Sequence, residues 1–129
     1  MTDASQNADR ALLCIIYDDH GVGDSFRVLL TVHGFHVVAY SSAVAFLADQ
    51  RPAPPRCLIV DQNMPDMDGL ALIGELHRRG PTVPTVLLTE RSDPSLVARA
   101  EGLGVCAIVE KPFAAAPLLA LIRTILAAE

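Results

Sequence analysis

The chain has 129 residues, 51% of them apolar and 19% charged, which places it among single globular domains and excludes a disordered chain. Its 10 Lys and Arg against 15 Asp and Glu leave a formal charge of −5, which argues against a nucleic-acid groove, since that needs a basic patch. No apolar run approaches the roughly 20 residues that span a bilayer, and the polar start from Met1 to Arg10 is not a signal peptide.

The polar start reads as a flexible tail, residues 1–10, ahead of one domain, residues 11–129. Leu12-Leu-Cys-Ile-Ile-Tyr17 is an apolar run that fits a strand buried on both faces, and it ends in Asp18-Asp19-His20. Gly21-Val22-Gly23 reads as a turn. Val22, Phe26, Leu29 and Leu30 then recur at helical spacing up to Gly34, which suits the C′ position. His36–Tyr40 is a short strand, and Ser41 or Ser42 can cap a short helix through Leu47. Arg51-Pro-Ala-Pro-Pro55 is a loop. Cys57–Val60 is a second fully apolar strand running into Asp61.

Beyond the Pro-, Asp- and Gly-rich turn after Asp61, Asp68 can cap a helix that turns Leu72, Ile73 and Leu76 inward and closes at Gly80. Val83–Leu88 is a strand that tolerates Pro84 near its start, and Thr89-Glu90 follow. Asp93-Pro94 reads as N-cap and first residue of the next helix. Val105–Val109 is the fifth strand and runs into Glu110-Lys111-Pro112. Leu118, Leu119, Ile122 and Ile125 mark the last helix. Cys14, Cys57 and Cys106 all fall in apolar runs without zinc spacing, so they read as buried reduced thiols of a cytoplasmic protein.

Five strands alternating with five helices imply an α/β domain, a parallel sheet covered by helices on both faces. In such a sheet every strand's carboxyl end lies on one edge, where ligands bind. Asp18 and Asp19, Asp61, Thr89 and Lys111 therefore converge on that edge. Three carboxylates crowd together only if something offsets their repulsion. Mg²⁺ suits them, because it prefers hard oxygen ligands and is held by one or two carboxylates with water and phosphate. A carboxylate nucleophile, a hard cation, a hydroxyl and a Lys together suit phosphoryl transfer. The ordinary alternatives are turn acids at Asp18, Asp19 and Asp61, a strand-end hydroxyl at Thr89, and a Lys111 salt bridge to Glu110 or Asp61.

At Asp18-Asp19, the Asp61-x-x-Met64-Pro65-x-Met67-x-Gly69 turn, Thr89 and Lys111-Pro112, the chain resembles the receiver domains of bacterial response regulators. Ala43-x-Ala45-Phe46-Leu47 and Glu110-Lys111-Pro112-Phe113 look most like the branch containing the nitrogen-fixation two-component regulators. The resemblance implies a flavodoxin-like (βα)5 fold with strand order 2-1-3-4-5, a signalling module that is not an enzyme. It implies that Asp61 accepts a phosphoryl group from a histidine kinase or phosphotransfer protein. Asp19 binds Mg²⁺ directly, Asp18 mainly through water, and the Asn63 carbonyl adds a ligand. Thr89 and Lys111 hold the phosphoryl oxygens, and the Lys111–Pro112 peptide is cis. A downstream protein or output domain follows in signalling, and a homodimer is possible. Neither membrane nor direct nucleic-acid binding is expected.

Departures from the family pattern are Glu90 after the switch hydroxyl, Ile108 where the fifth strand usually carries Phe or Tyr, and His20 where a third acid often stands. His20 is expected at the rim rather than as a ligand, because Mg²⁺ disfavours imidazole. No room remains for a DNA-binding output domain, so the chain is either an isolated domain or a stand-alone receiver; Met1 and the closing Ala127-Ala128-Glu129 lean toward the latter. Two competing functions are a pseudo-receiver that binds partners without phosphorylation, and a haloacid-dehalogenase-type phosphatase. The second wants an acid two residues after the nucleophile, where this chain has Asn63.

Overall fold

The computed structural model describes residues 12–49 and 54–128. The expected tail 1–10 and much of the Arg51–Pro55 loop lie outside the described residues, as does the side chain of His20.

The elements alternate as expected. They are β1 (Leu12–Ile16), α1 (His20–Val32), β2 (His36–Tyr40), α2 (Ala43–Ala48), β3 (Cys57–Asp61), α3 (Gly69–Arg79), β4 (Thr85–Thr89), α4 (Pro94–Gly102), β5 (Ala107–Glu110) and α5 (Ala115–Ala127). All strand pairs are parallel, in the order β2-β1-β3-β4-β5. β3 lies at the centre, with Ile15 opposite Ile59 and Asp61 opposite Leu88.

Period-two geometry explains the unbroken apolar runs. Successive side chains of a strand point to opposite faces. Leu13, Ile15, Ile59, Val86 and Leu88 pack on one face with Phe26 and Leu30 of α1 and Leu118 and Ile122 of α5. Cys14, Ile16, Leu58, Val60 and Leu87 pack on the other with Ala43 of α2, Leu72 and Ile73 of α3 and Leu96 of α4. Both faces are covered by helices, so the central strands are apolar at both parities except for Thr85 at the start of β4 and the residues at the carboxyl edge.

Helix ends follow the predicted chemistry. Ser42, Asp68 and Asp93 accept from Ala45, Ala71 and Leu96 N–H as N-caps, with Pro94 in the first turn of α4. Gly34 has φ 97°, the left-handed conformation that suits the residue after the His33 C-cap.

Three expectations need correction. Gly21–Gly23 is not a turn but the first turn of α1, because Asp19 caps Val22 N–H and starts the helix at His20. That phase sends Gly23, Phe26 and Leu30 inward and leaves Val22 41% exposed. Second, β4 begins at Thr85 and β5 at Ala107, so Val83, Pro84, Val105 and Cys106 precede their strands. Third, Cys106 is consequently exposed, while Cys14 and Cys57 are buried; none of the three is in a disulfide.

Candidate functional site

β3 delivers Asp61 to the carboxyl edge and buries it to 2% exposure. Among the described residues, both hydrogen bonds to its carboxylate fall on one oxygen. Lys111 Nζ donates to Oδ1 at 2.8 Å, and Asn63 N–H donates to the same atom at 3.1 Å. Among the described residues no buried side-chain polar atom lacks a partner. Neither the Lys111 nor the Asn63 donor sits on Oδ2.

Lys111 follows the last residue of β5, and its N–H donates to the Thr89 carbonyl at 2.8 Å. The Lys111–Pro112 peptide is cis, as the resemblance implies. The ammonium lies 4.9 Å from the centre of the Tyr17 ring, within cation–π range. Burial pulls Lys111 toward its neutral form, but the hydrogen bond and charge of Asp61 outweigh that effect and its pKa stands above the ordinary lysine value. Of the two salt bridges open at the sequence level, the one to Asp61 forms; Glu110 turns instead to Ser92.

The turn after Asp61 is braced by its own backbone. Gln62 N–H donates to Leu88 O at 2.7 Å, Gly69 N–H donates to Gln62 O at 3.2 Å, and Gln62 Oε1 accepts from Leu70 N–H at 2.9 Å. Asp66 Oδ2 accepts from Val44 N–H at 3.2 Å, tying the turn to α2. A Cβ on Gly69 would lie 2.8 Å from Leu87 Cδ1, 2.9 Å from Asp61 O and 3.0 Å from Gln62 Cα. Two of those neighbours are backbone and cannot swing away. Gly69→Ala should therefore lose stability: overpacking costs about 1–3 kcal/mol, against a helix-propensity gain of about 0.5–1 kcal/mol. The expected readout is a melting temperature several degrees lower by circular dichroism; an unchanged or higher value would contradict the close packing.

The remaining candidates sit on the same edge. Asp18 and Asp19 follow β1 and are exposed, and Asp19 Oδ1 is engaged by Val22 N–H at 3.1 Å. Thr89 is 3% exposed, and its Oγ1 donates to Arg91 O at 3.0 Å. Asn63 Oδ1 accepts from Glu90 N–H at 3.4 Å, a role beyond the carbonyl expected of that residue. Glu90 is exposed and shares a recess with Lys111, Tyr17 and Phe113. Among the described residues no group of three or more His, Cys, Asp or Glu side chains closes into a metal cage. Mg²⁺ does not require one: it keeps several waters and takes one or two carboxylates. The exposed Asp18 and Asp19 and the Asp61 carboxylate supply that hard-oxygen donor type, so the residues fit the ion.

Tyr17, Gln62, Ser92 and the acceptor role of Glu110 were missed in the sequence. Only Tyr17 had a signal, its place directly before Asp18.

A doubly wound parallel sheet with an acid on the central strand's carboxyl end, paired to a Lys from the fifth, defines a receiver-type module. The chain matches the response regulator receiver domain family over residues 13–123, and it belongs to that family. Transcriptional regulatory protein FixJ of Azorhizobium caulinodans is 36% identical over 109 residues, covering 84% of this chain and 52% of that protein. Response regulator protein TmoT of Ectopseudomonas mendocina is 32% identical over 120 residues, covering 93% and 54%. The chain thus spans about half the length of the curated relatives it matches. Full-length FixJ from B. japonicum superposes with TM-score 0.81 and 30% identity, over 91% of this chain and 58% of that one. A CheY-like receiver domain from Methanospirillum hungatei superposes with TM-score 0.85 at 24% identity, over 92% and 95%, a likeness of fold. The FixJ matches agree with the nitrogen-fixation-regulator resemblance. As a receiver domain the chain is a signalling module of two-component systems rather than an enzyme.

Proposed function

We propose that Asp61 is the phosphoryl acceptor of this receiver, with a histidine kinase or phosphotransfer protein as donor. The observation that carries this reading is the asymmetric carboxylate: Lys111 Nζ and Asn63 N–H both donate to Oδ1, which leaves Oδ2 as the nucleophile. Oδ2 attacks phosphorus, the bond from phosphorus to the donor breaks, and an acyl phosphate remains on Asp61; a phosphohistidine donor leaves as imidazole with a proton. Lys111, held protonated, offsets charge on the transferred oxygens, and Thr89 offers a hydroxyl from the neighbouring strand. Asp18, Asp19, Asp61 and the Asn63 carbonyl would hold Mg²⁺, which when bound supplies further charge neutralisation on those oxygens. Placement in the cytoplasm, a boundary at residues 11–129, and a downstream protein or output domain belong to the same reading. Among the described residues no helix is long and apolar enough to cross a membrane. The pseudo-receiver alternative has no observation in its favour, since the acceptor, the Lys and the hydroxyl are all in place. The test is incubation with Mg²⁺ and acetyl phosphate, read by intact mass: a gain of one phosphoryl group is expected, and no gain would return the chain to the pseudo-receivers.

A muted switch belongs to the same proposal. Ile108 is half-buried in the cluster on the α2–α4 face, and a β-branched aliphatic side chain has few χ1 states and no polar tip to exchange. A ligand shifts an equilibrium only through differential interaction with its two states. Glu90, in the recess with Lys111, adds repulsion toward an incoming anionic donor and slows the reaction. Beryllofluoride, a phosphoryl mimic, should move amide resonances around Asp61 and Thr89 more than those across residues 94–120. Comparable shifts in both regions would defeat the muted switch.

A further inference from the structure

The Thr89 hydroxyl is committed to its own loop. It donates to the Arg91 carbonyl at 3.0 Å, and Arg91 N–H donates back to it at 3.3 Å. One side chain pins that loop from β5. Glu110 stands opposite Thr89 in the β4–β5 ladder, and its Oε2 accepts from both Ser92 N–H and Ser92 Oγ–H, each at 3.0 Å. Those two bonds hold the Glu110 carboxyl below the usual range, so the acceptor is charged at neutral pH. Charge-assisted bonds are roughly twice as strong as neutral ones.

We infer that Glu110 is a positioning residue for the Asp61 site: by latching Ser92 it keeps the loop after β4 in the form that turns the Thr89 hydroxyl onto Arg91 rather than onto Asp61. The inference deepens the reading of Asp61 as acceptor and rests on it. A phosphoryl group on Asp61 adds oxygens that compete for the Thr89 proton. The hydroxyl reaches them only by leaving Arg91, and the latch sets the cost of that move. Lys111 comes directly after Glu110 and bonds the Thr89 carbonyl, so the latch also ties the loop to the strand end that presents the ammonium.

The test uses the full chain with labelled threonine methyl groups, as wild type, Glu110→Ala, Glu110→Gln and Ser92→Ala. Without any donor, the Thr89 methyl resonance should be displaced in Glu110→Ala, displaced less in Ser92→Ala, which keeps the backbone bond, and restored in Glu110→Gln, which keeps a neutral acceptor. Phosphoryl gain from acetyl phosphate should be about threefold to tenfold faster in Glu110→Ala, a modest factor for two lost bonds because both are exposed to solvent. A Thr89 methyl signal in Glu110→Ala that coincides with wild type overturns the latch. If Glu110→Ala does not fold, an unmoved signal in Ser92→Ala overturns it instead. Absence of phosphoryl gain in wild type sinks the Asp61 reading, while the donor-free methyl comparison still decides the latch.

Discussion

Asp61→Asn should gain no phosphoryl group from acetyl phosphate and Mg²⁺ under conditions where the wild-type chain gains one. The amide keeps the shape of the carboxylate and an oxygen for Lys111 and Asn63 N–H, the two donors now on Oδ1. Its nitrogen replaces Oδ2, and a neutral amide is neither an anionic nucleophile nor able to form the acyl phosphate. β3 is packed on both faces, so the substitution leaves the sheet intact and the loss is chemical. Circular dichroism should match wild type while intact mass stays unchanged. Equal phosphoryl gain in the two proteins would move the acceptor to another acid on this edge.

Lys111→Ala has the next largest effect, in both stability and chemistry. It leaves the Asp61 carboxylate, 3% exposed, without its cation. Removing one partner of a buried pair costs about 3–5 kcal/mol. Here the Lys111 side chain is 15% exposed and Asn63 N–H still donates to Oδ1, which makes the lower end, about 3 kcal/mol, an upper bound. The variant should stay folded and still bind Mg²⁺, melt at a lower temperature, and gain phosphoryl groups slowly. Because the folded chain raises the Lys111 pKa, the stabilisation from the pair is fully present below the ordinary lysine value, about 10.4, and is lost as pH rises through the raised one. The difference in melting temperature between wild type and Lys111→Ala should therefore be flat at neutral pH and shrink only in strong alkali. A difference that vanished near neutrality would place the pair's contribution elsewhere.

Much of this protein was legible from local pattern. Unbroken apolar runs such as Leu12–Ile16 and Cys57–Val60 specify strands covered on both sides, and in a parallel sheet that alone gathers Asp61, Thr89 and Lys111 on one edge. Caps at Ser42, Asp68 and Asp93 were readable because a side-chain oxygen meets an N–H two or three residues away, a contact set by local geometry. The start of α1 was misjudged because two glycines look like a turn, whereas Asp19 caps the helix ahead of them. Cys106 was placed inside because its neighbours are apolar, but whether a residue before a strand points inward depends on where the ladder with β4 begins. Sequence by itself determined the alternating elements, the sheet edge and the residue types available there. Tertiary structure alone decided the partners: Lys111 on Asp61 rather than Glu110, Glu110 on Ser92, and Thr89 on Arg91. The first two join chain segments 50 and 18 residues apart, which no local propensity encodes, while the third is a contact two residues away whose form depends on the loop that Glu110 holds.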